Sequence, residues 1–81
     1  MRGQEFEIQL LADPGAQSMC RILGVTALYD PEIISGTIAI ESHGDMLVQF
    51  RLRFREPERS SLLVARLKNL VGILEVRMVT L

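Results

Sequence analysis

The sequence predicts an α+β fold of the ferredoxin-like type: element order βαββαβ, with two helices on one face of a four-stranded antiparallel sheet. Apolar and polar residues alternate in four separate stretches, which is the period of a strand buried on one face. Stretches with apolar residues at helical spacing follow the first and the third of these strands. Because crossover connections are right-handed, this order of elements predicts the strand order 4-1-3-2.

The first predicted strand and the turn after it occupy residues 5–15. The strand stops at Asp13-Pro14-Gly15, because proline fixes its own φ and has no N–H to donate, while glycine permits a sharp reversal. A helix that begins directly afterwards points its unpaired N–H groups and its positive dipole end at the turn. Such a corner can hold a carboxylate, although a plain connection is the commoner use of this geometry. The inward strand residues are Phe6, Ile8 and Leu10.

The first helix is predicted over residues 16–29 and the second strand over residues 32–42, with Asp30-Pro31 between them. The residue before a proline disfavours the helical region, so the helix ends there. The helix is predicted to bury the apolar residues at helical spacing, namely Met19, Ile22, Leu23 and Ala27. The second strand is predicted to place on one face Ile34, Gly36, Ile38 and Ile40. The glycine within this run predicts a bulge or a close backbone approach.

The third strand, residues 46–55, is the clearest of the four, because it contains five consecutive alternations. The second helix is predicted to open at residues 56–61, where proline and glutamates suit a first turn, and to run to about Val71. Gly72 then takes the left-handed position after a helix C-terminus. The predicted apolar stripe of this helix is Leu63, Leu67 and Leu70, with Leu62 and Val71 at its margins. The last strand is predicted to alternate Leu74, Val76 and Met78 with Glu75, Arg77 and Val79.

Length and composition limit the classes of function. The chain has 81 residues, which is enough for one domain, and 48% of them are apolar. A chain of this size buries only about 60% of its unfolded surface, so this apolar excess favours a dimer or docking on a larger subunit. A net charge of −1 gives no overall attraction to nucleic acid or to a membrane surface. One cysteine excludes an intrachain disulfide framework, and with no basic-then-apolar leader or long apolar run the protein is predicted to be cytoplasmic.

A row of arginines on the outward face of the third strand favours an RNA-binding alternative. Arg51, Arg53 and Arg55 form a basic stripe, and this fold does occur in RNA-binding proteins. In the predicted strand order, however, the row lies beside Glu5 and Glu7, and cross-strand pairs would neutralise it. RNA binders of this kind also stack bases on outward aromatics, whereas the three phenylalanines of this chain lie in the inward phase. A solvated sheet face is therefore the preferred interpretation.

No group of residues predicts catalysis, a cofactor or a metal site. His43 is the only histidine and has no partner at metal-ligand or general-base spacing, so it is predicted to be a loop residue. Cys20 is the only cysteine and is predicted to be a packed or partly exposed thiol in the first helix. No glycine-rich phosphate loop occurs in the sequence. The chain is not expected to be an enzyme.

The chain resembles an ACT domain, the small regulatory module of amino-acid metabolism, over nearly its whole length, which predicts a single ACT-like domain at residues 1–81. The resemblance rests on the βαββαβ order and on Asp13-Pro14-Gly15, which sits where that family has a D-x-P-G type turn. Residues 67–79 are similar to the end of the short acetolactate synthase regulatory subunits, which have a helix-ending L-x-x-L-V pattern and a valine-rich strand. Two departures from the family pattern are Gln17, where an aliphatic residue is usual, and the entry into the second strand at residues 30–34.

The resemblance implies a ligand site shared between two chains. ACT domains pair side by side, so that two four-stranded sheets form one of eight strands, and amino-acid effectors bind at that interface. The Gly15 and Ala16 N–H groups would meet a ligand carboxylate and Asp13 its ammonium, while residues 34–38 of the neighbouring chain would form the partner edge. The ligand-binding residues implied in this way are Asp13, Pro14, Gly15, Ala16, Ile34 and Gly36.

The leading hypothesis is a non-catalytic regulatory subunit that forms a homodimer and modulates a catalytic subunit of amino-acid biosynthesis. The resemblance implies acetolactate synthase as that enzyme and valine, leucine or isoleucine as the effector, with no cofactor of its own. The alternatives are an amino-acid-binding sensor for a different enzyme, a module that only dimerises or docks, and a sheet-surface RNA-binding module.

Overall fold

The observed element order and sheet topology agree with the predicted fold. The computed structural model describes residues 3–81. Its elements are β1 (Gln4–Ala12), α1 (Ala16–Tyr29), β2 (Glu32–Ile40), β3 (Met46–Phe54), α2 (Glu58–Lys68) and β4 (Ile73–Thr80). The sheet has the order β2-β3-β1-β4 with every neighbouring pair antiparallel, which is the predicted order 4-1-3-2 read from the other edge. The predicted ferredoxin-like fold is therefore confirmed.

The core lies between the two central strands and the helices. Phe6 pairs with Leu52 and Ile8 with Phe50, so the inward residues of β1 and β3 form one continuous apolar surface. Ile22 of α1 and the α2 residues Leu63 and Leu67 close this surface from above, and all three are fully or almost fully buried. The Phe6 and Phe54 rings meet edge to face, with 5.7 Å between their centroids and 77° between their planes.

The buried face of α1 differs from the predicted one. Met19 is partly buried and Ile22 is fully buried, but Leu23 is 44% exposed and Ala27 is also exposed. The buried residues on the face that meets the sheet are Ile22, Ser18 and Thr26. Thr26 can be buried because its hydroxyl donates a hydrogen bond to the Ile22 carbonyl at 2.8 Å, which satisfies the polar group within the helix.

Both edge strands contain a bulge that shifts the predicted face of one residue. In β2, Ile33 pairs with Leu52 and Ser35 with Arg51, so Ile34 is an extra residue, and Ile33 takes the helix-side phase shared with Gly36, Ile38 and Ile40. In β4, Ala12 pairs with Ile73 and Leu11 with Glu75, so Leu74 is the extra residue. The helix-side residues of β4 are therefore Ile73, Val76 and Met78. The register skips Ile34 and Leu74, and in β4 the residue packed against the core is Ile73 and not the predicted Leu74.

The loop before β4 begins earlier than the sequence suggests. The helix α2 ends at Lys68, and Leu70 N–H donates to the Leu67 carbonyl in a tight turn after it. Gly72 does adopt a positive φ of 90°, but it is the last residue of this loop and not the residue that caps the helix. Leu70 still packs partly against the core, whereas Leu62 and Val71, predicted at the margins of the stripe, are exposed.

Candidate functional site

Three connections meet at one end of the sheet: the β1–α1 turn at residues 13–15, the β2–β3 hairpin and the α2–β4 loop. They meet there because β1 and β3 run antiparallel and β4 begins beside the end of β1. Asp13 N–H donates a hydrogen bond to the Gly72 carbonyl at 2.8 Å. A Cβ at Gly72 would lie 3.4 Å from Asp13 Oδ2 and 3.5 Å from Ser18 Oγ, so the loop packs closely against the turn. The α2–β4 loop thus supports the turn from one side.

The turn leaves the first N–H groups of α1 open. Gly15 is the residue before the helix, with φ 131° and ψ 160°, a conformation essentially confined to glycine. Its carbonyl accepts from Met19 N–H at 3.4 Å, but among the described residues no side chain caps the helix. Asp13, Pro14, Gly15 and Ala16 are all exposed. A cluster of free amide donors at a helix N-terminus, beside the carboxylate of Asp13, can receive a carboxylate and an ammonium group together.

The other two implied site residues, Ile34 and Gly36, lie on β2 and not at this turn. β2 is two strands away from β1, and Ile34 lies near the Arg51–Leu52 end of β3, whereas the turn follows Ala12 at the opposite end. Strand geometry puts the turn and Ile34 about 20 Å apart. A single chain therefore holds four of the six implied residues at the turn and two at the far sheet edge.

The β2 edge is open and apolar. All nine of its residues are exposed, among them Ile33, Ile38 and Ile40, each with more than half of its surface accessible. Gly36 lies against the Phe50 ring: a Cβ there would be 3.0 Å from Phe50 Cδ1. What approaches Gly36 closely is thus a side chain and not the predicted backbone segment, and the bulge of this strand lies at Ile34. An edge strand that presents both apolar side chains and free backbone groups is a surface that proteins usually cover.

The arginine row is neutralised only in part by direct contact. Arg53 Nη2 lies 2.8 Å from Glu5 Oε2 and its Nη1 lies 2.9 Å from Glu32 Oε1. The hydrogen bond to Glu5, together with the charge of Glu32, raises the pKa of the Arg53 guanidinium above its ordinary value. Arg51 stands opposite Glu7 in the register, yet within residues 3–81 it forms no ion pair, which corrects the expectation for that position.

Among residues 3–81, the outward face of the sheet carries no aromatic platform for RNA bases. All three phenylalanines, Phe6, Phe50 and Phe54, are buried on the helix side. The outward residues opposite one another on the central strands are Glu5 with Arg53, Glu7 with Arg51, and Gln9 with Gln49. This surface is a mixed, solvated face, and the structure does not favour the RNA-binding alternative.

A charged cleft of about 660 Å³ lies at the end of the sheet opposite the turn, and no motif in the sequence indicates it. Residues from the α1–β2 and β3–α2 connections line it together. Arg59 joins the two connections, because it donates to the Tyr29 carbonyl at 3.3 Å and lies 3.2 Å from Glu56 Oε1. Three acidic and three basic residues line the cleft: Asp30, Glu32, Arg53, Arg55, Glu56 and Arg59. Since most of these charges pair with one another, the cleft has no strong preference for a charged ligand.

The two residues singled out for reactivity lie apart from the turn. His43 is in the β2–β3 hairpin, where its Nε2 is 3.0 Å from Asp45 Oδ2, and Cys20 is an exposed free thiol on α1. Within the described part of the chain, no three His, Cys, Asp or Glu side chains are placed to hold a metal ion. Neither helix among residues 3–81 is long and apolar enough to cross a membrane.

The fold of this chain can be compared with the sequences and structures of known proteins. No protein-family profile and no functionally characterised protein matches its sequence. Solved structures do match: the ACT domain from the GTP pyrophosphokinase of Chlorobium tepidum superposes with a TM-score of 0.80 at 14% identity, covering 98% of this chain and all of that one (100%). The chain therefore has the fold of an ACT domain, as its resemblance implied.

Two further structures support the same fold. The C-terminal domain of the MgtC protein from Mycobacterium tuberculosis has a TM-score of 0.76 at 14% identity, covering 95% of this chain and 86% of that one. An uncharacterized protein from Thermotoga maritima has a TM-score of 0.77 at 10% identity, covering 96% of each chain. None of these three is named as an acetolactate synthase subunit, so that narrower resemblance stays a prediction.

Proposed function

We propose that this chain is a non-catalytic regulatory module that binds a free amino acid at the β1–α1 turn. The observation that carries the proposal is the open donor corner: Asp13, Gly15 and Ala16 are all exposed within one short turn at the N-terminus of α1, where among the described residues no side chain caps the helix. The ligand carboxylate accepts from the amides, where the helix dipole also favours it, and the ligand ammonium pairs with Asp13. An α-amino acid is the simplest ligand that carries both groups on neighbouring atoms.

The ligand side chain is proposed to meet the β2 edge of a second copy. A side-by-side homodimer covers the exposed isoleucines of β2 and gives its free backbone groups partners. Within one chain the turn and residues 34–36 lie about 20 Å apart, so a single chain cannot bring the implied site together. In the homodimer the turn of one chain can meet residues 34–36 of its neighbour. An apolar edge favours an aliphatic side chain, which is the reason to begin with valine, leucine and isoleucine.

The partner enzyme is proposed to be a catalytic subunit of amino-acid biosynthesis, with acetolactate synthase as the first candidate. The support is the L-x-x-L-V pattern at residues 67–71 and the strand that follows it, which are similar to the short regulatory subunits of that enzyme. Such a module changes catalysis by binding one conformation of its partner more tightly than another, and the ligand acts by shifting that equilibrium. The same turn would serve equally in a sensor for a different enzyme.

The test is thermal melting of the purified protein with each of the twenty common amino acids. A ligand at about 100 times its dissociation constant adds roughly 2.7 kcal/mol to the free energy of unfolding, which raises the Tm of a domain this size by on the order of 10 °C. We expect a shift with at least one aliphatic amino acid, and we expect Asp13→Ala to abolish it.

The matched control for that variant is Glu58→Ala, which removes an equal charge from the first turn of α2 and should leave the ligand shift unchanged. A panel with no shift for any amino acid would refute amino-acid binding and leave a module that only dimerises or docks. A shift that survives Asp13→Ala would place the ligand somewhere other than the turn.

A further inference from the structure

The sheet has a second open edge, β4, which the proposed function does not use. β4 pairs with β1 on one side only, and among the described residues no strand lies on its other side. Four apolar residues in and around this strand are at least half exposed: Val71, Leu74, Val79 and Leu81. With the exposed isoleucines of β2, this is a large apolar surface for a chain of 81 residues.

The charged residues of β4 alternate in sign on the outward face of this edge. Glu75 stands opposite Leu11 of β1 and Arg77 opposite Gln9, so both side chains point away from the helices. They pair with each other within the chain, with 2.6 Å between Arg77 Nε and Glu75 Oε2. Their side chains remain 72% and 48% exposed for Arg77 and Glu75 respectively, so both can reach a strand laid beside β4.

The backbone of β4 determines which residues offer hydrogen bonds to that edge. Leu81 N–H donates to the Glu5 carbonyl at 3.0 Å, which makes this directly opposite pair a hydrogen-bonded one. Hydrogen-bonded pairs alternate along an antiparallel ladder, so residues 75, 77 and 79 also direct their polar groups to β1. Val76, Met78 and Thr80 therefore direct their N–H and C=O groups outward, to the open edge.

We propose that β4 forms a second interface, in which it pairs antiparallel with β4 of another copy about a two-fold axis at Val76. In this register Glu75 of each chain lies opposite Arg77 of the other. The outward polar groups of the two Val76 residues face each other, as a hydrogen-bonded pair requires. A strand edge that is self-complementary in this way is what an isologous interface between identical chains needs.

The charges select this register over its neighbour. Moving the two-fold axis by one residue, to Arg77, places Arg77 opposite itself and Glu75 opposite Val79, which replaces two attractions by a repulsion between like charges. The interface requires only the fold and not the proposed ligand, so the two proposals can fail independently.

The experiment isolates this interface by first disabling the other edge. Ile38→Lys places a charge in the middle of the apolar β2 edge, at an exposed position that the core does not need. In this background we expect sedimentation velocity to show a dimer that dissociates on dilution from concentrations on the order of 100 µM. Far-UV circular dichroism verifies that each variant is folded.

Charge reversal then tests the register. Glu75→Arg and Arg77→Glu, each added singly, turn both cross-chain attractions into repulsions, and we expect each to raise the dimer dissociation constant about tenfold or more. The two reversals together restore opposite charges across the axis, so the combined variant should again dimerise like the Ile38→Lys background. All of these variants change only exposed side chains at residues 75 and 77. Loss and recovery of the dimer therefore cannot result from a change in core packing.

Three outcomes would overturn the proposal. The first is a monomer at every concentration in the Ile38→Lys background, which would leave the β4 edge to a different protein. The second is a dimer that either single reversal leaves unchanged. The third is a combined variant that stays monomeric although both single variants are folded.

Discussion

Replacing Gly15 by alanine tests the backbone geometry on which the proposed site depends. Gly15 has φ 131° and ψ 160°, and, apart from its chain neighbours, no atom of residues 3–81 lies within 4 Å of the position its Cβ would take. The substitution therefore causes no clash, and its cost is the strain of holding an L-residue in a conformation that only glycine adopts readily. That strain is on the order of 1–3 kcal/mol. For a domain of this length it lowers Tm by roughly 5–20 °C.

Gly24→Ala is the matched control within the same helix. In the described part of the chain, Gly24 also has no atom within 4 Å of its Cβ position beyond its own helix backbone, but its φ is an ordinary helical one. Alanine in a helix interior is about 1 kcal/mol more favourable than glycine, so this variant should melt several degrees higher than the wild type. The same glycine-to-alanine change is thus expected to lower the stability at the start of α1 and to raise it in the interior of the helix.

The assay is urea unfolding followed by far-UV circular dichroism, with thermal melting as a second measure. The midpoint should fall for Gly15→Ala and rise for Gly24→Ala, with an unchanged m-value for both. A Gly15→Ala variant as stable as the wild type would show that the turn does not hold this conformation. The description of the open donor corner, which depends on this conformation of Gly15, would then be wrong.

Four further substitutions test the packing and the ion pairs. Leu63→Ala, at a fully buried position, should cost about 2–5 kcal/mol in urea unfolding, and a smaller loss would mean that α2 is not packed on the sheet. Arg53→Ala should lower the urea midpoint slightly and Arg51→Ala should leave it almost unchanged, since only the first has ion-pair partners among residues 3–81; equal shifts would contradict these contacts. Gly36→Ala should cost about 1–3 kcal/mol, because the Phe50 ring must move; no loss would mean that the ring has space.

The fold was predictable because the two central strands alternate without interruption. The burial of β1 and β3 follows their sequence pattern residue by residue, and these strands determine where the helices pack. The edge strands were less predictable. Ile33-Ile34 and Ile73-Leu74 each place two apolar residues side by side, so the pattern suits either phase, and only the bulge in the ladder decides which one faces the helices.

The burial of α1 shows why apolar spacing alone does not determine a helix face. The sequence favours Leu23 over Thr26 on hydrophobicity, yet the helix turns Thr26 inward because its hydroxyl bonds the Ile22 carbonyl. A helix that covers only part of a small sheet leaves some apolar residues outside. In the proposed assemblies a partner would cover such residues, and the sequence records them only as an excess of apolar composition.

The two ends of the sheet differ in how far the sequence predicts them. The β1–α1 turn is a contiguous segment with its own residue signals, so the sequence alone is enough to locate it. The charged cleft at the other end is assembled from the α1–β2 and β3–α2 connections, which lie far apart in the chain and have no shared motif. Only the topology of the sheet brings those two connections together.

The most direct test of the proposed function is to follow backbone amide NMR signals while valine, leucine or isoleucine is added. Binding at the turn predicts that the Gly15 and Ala16 amides shift most, with smaller shifts at residues 34–36 from the neighbouring chain. It also predicts that Asp13→Ala removes all of these shifts. Shifts concentrated at the charged cleft, or no shifts with any of the three amino acids, would contradict the proposal that the turn is the ligand site.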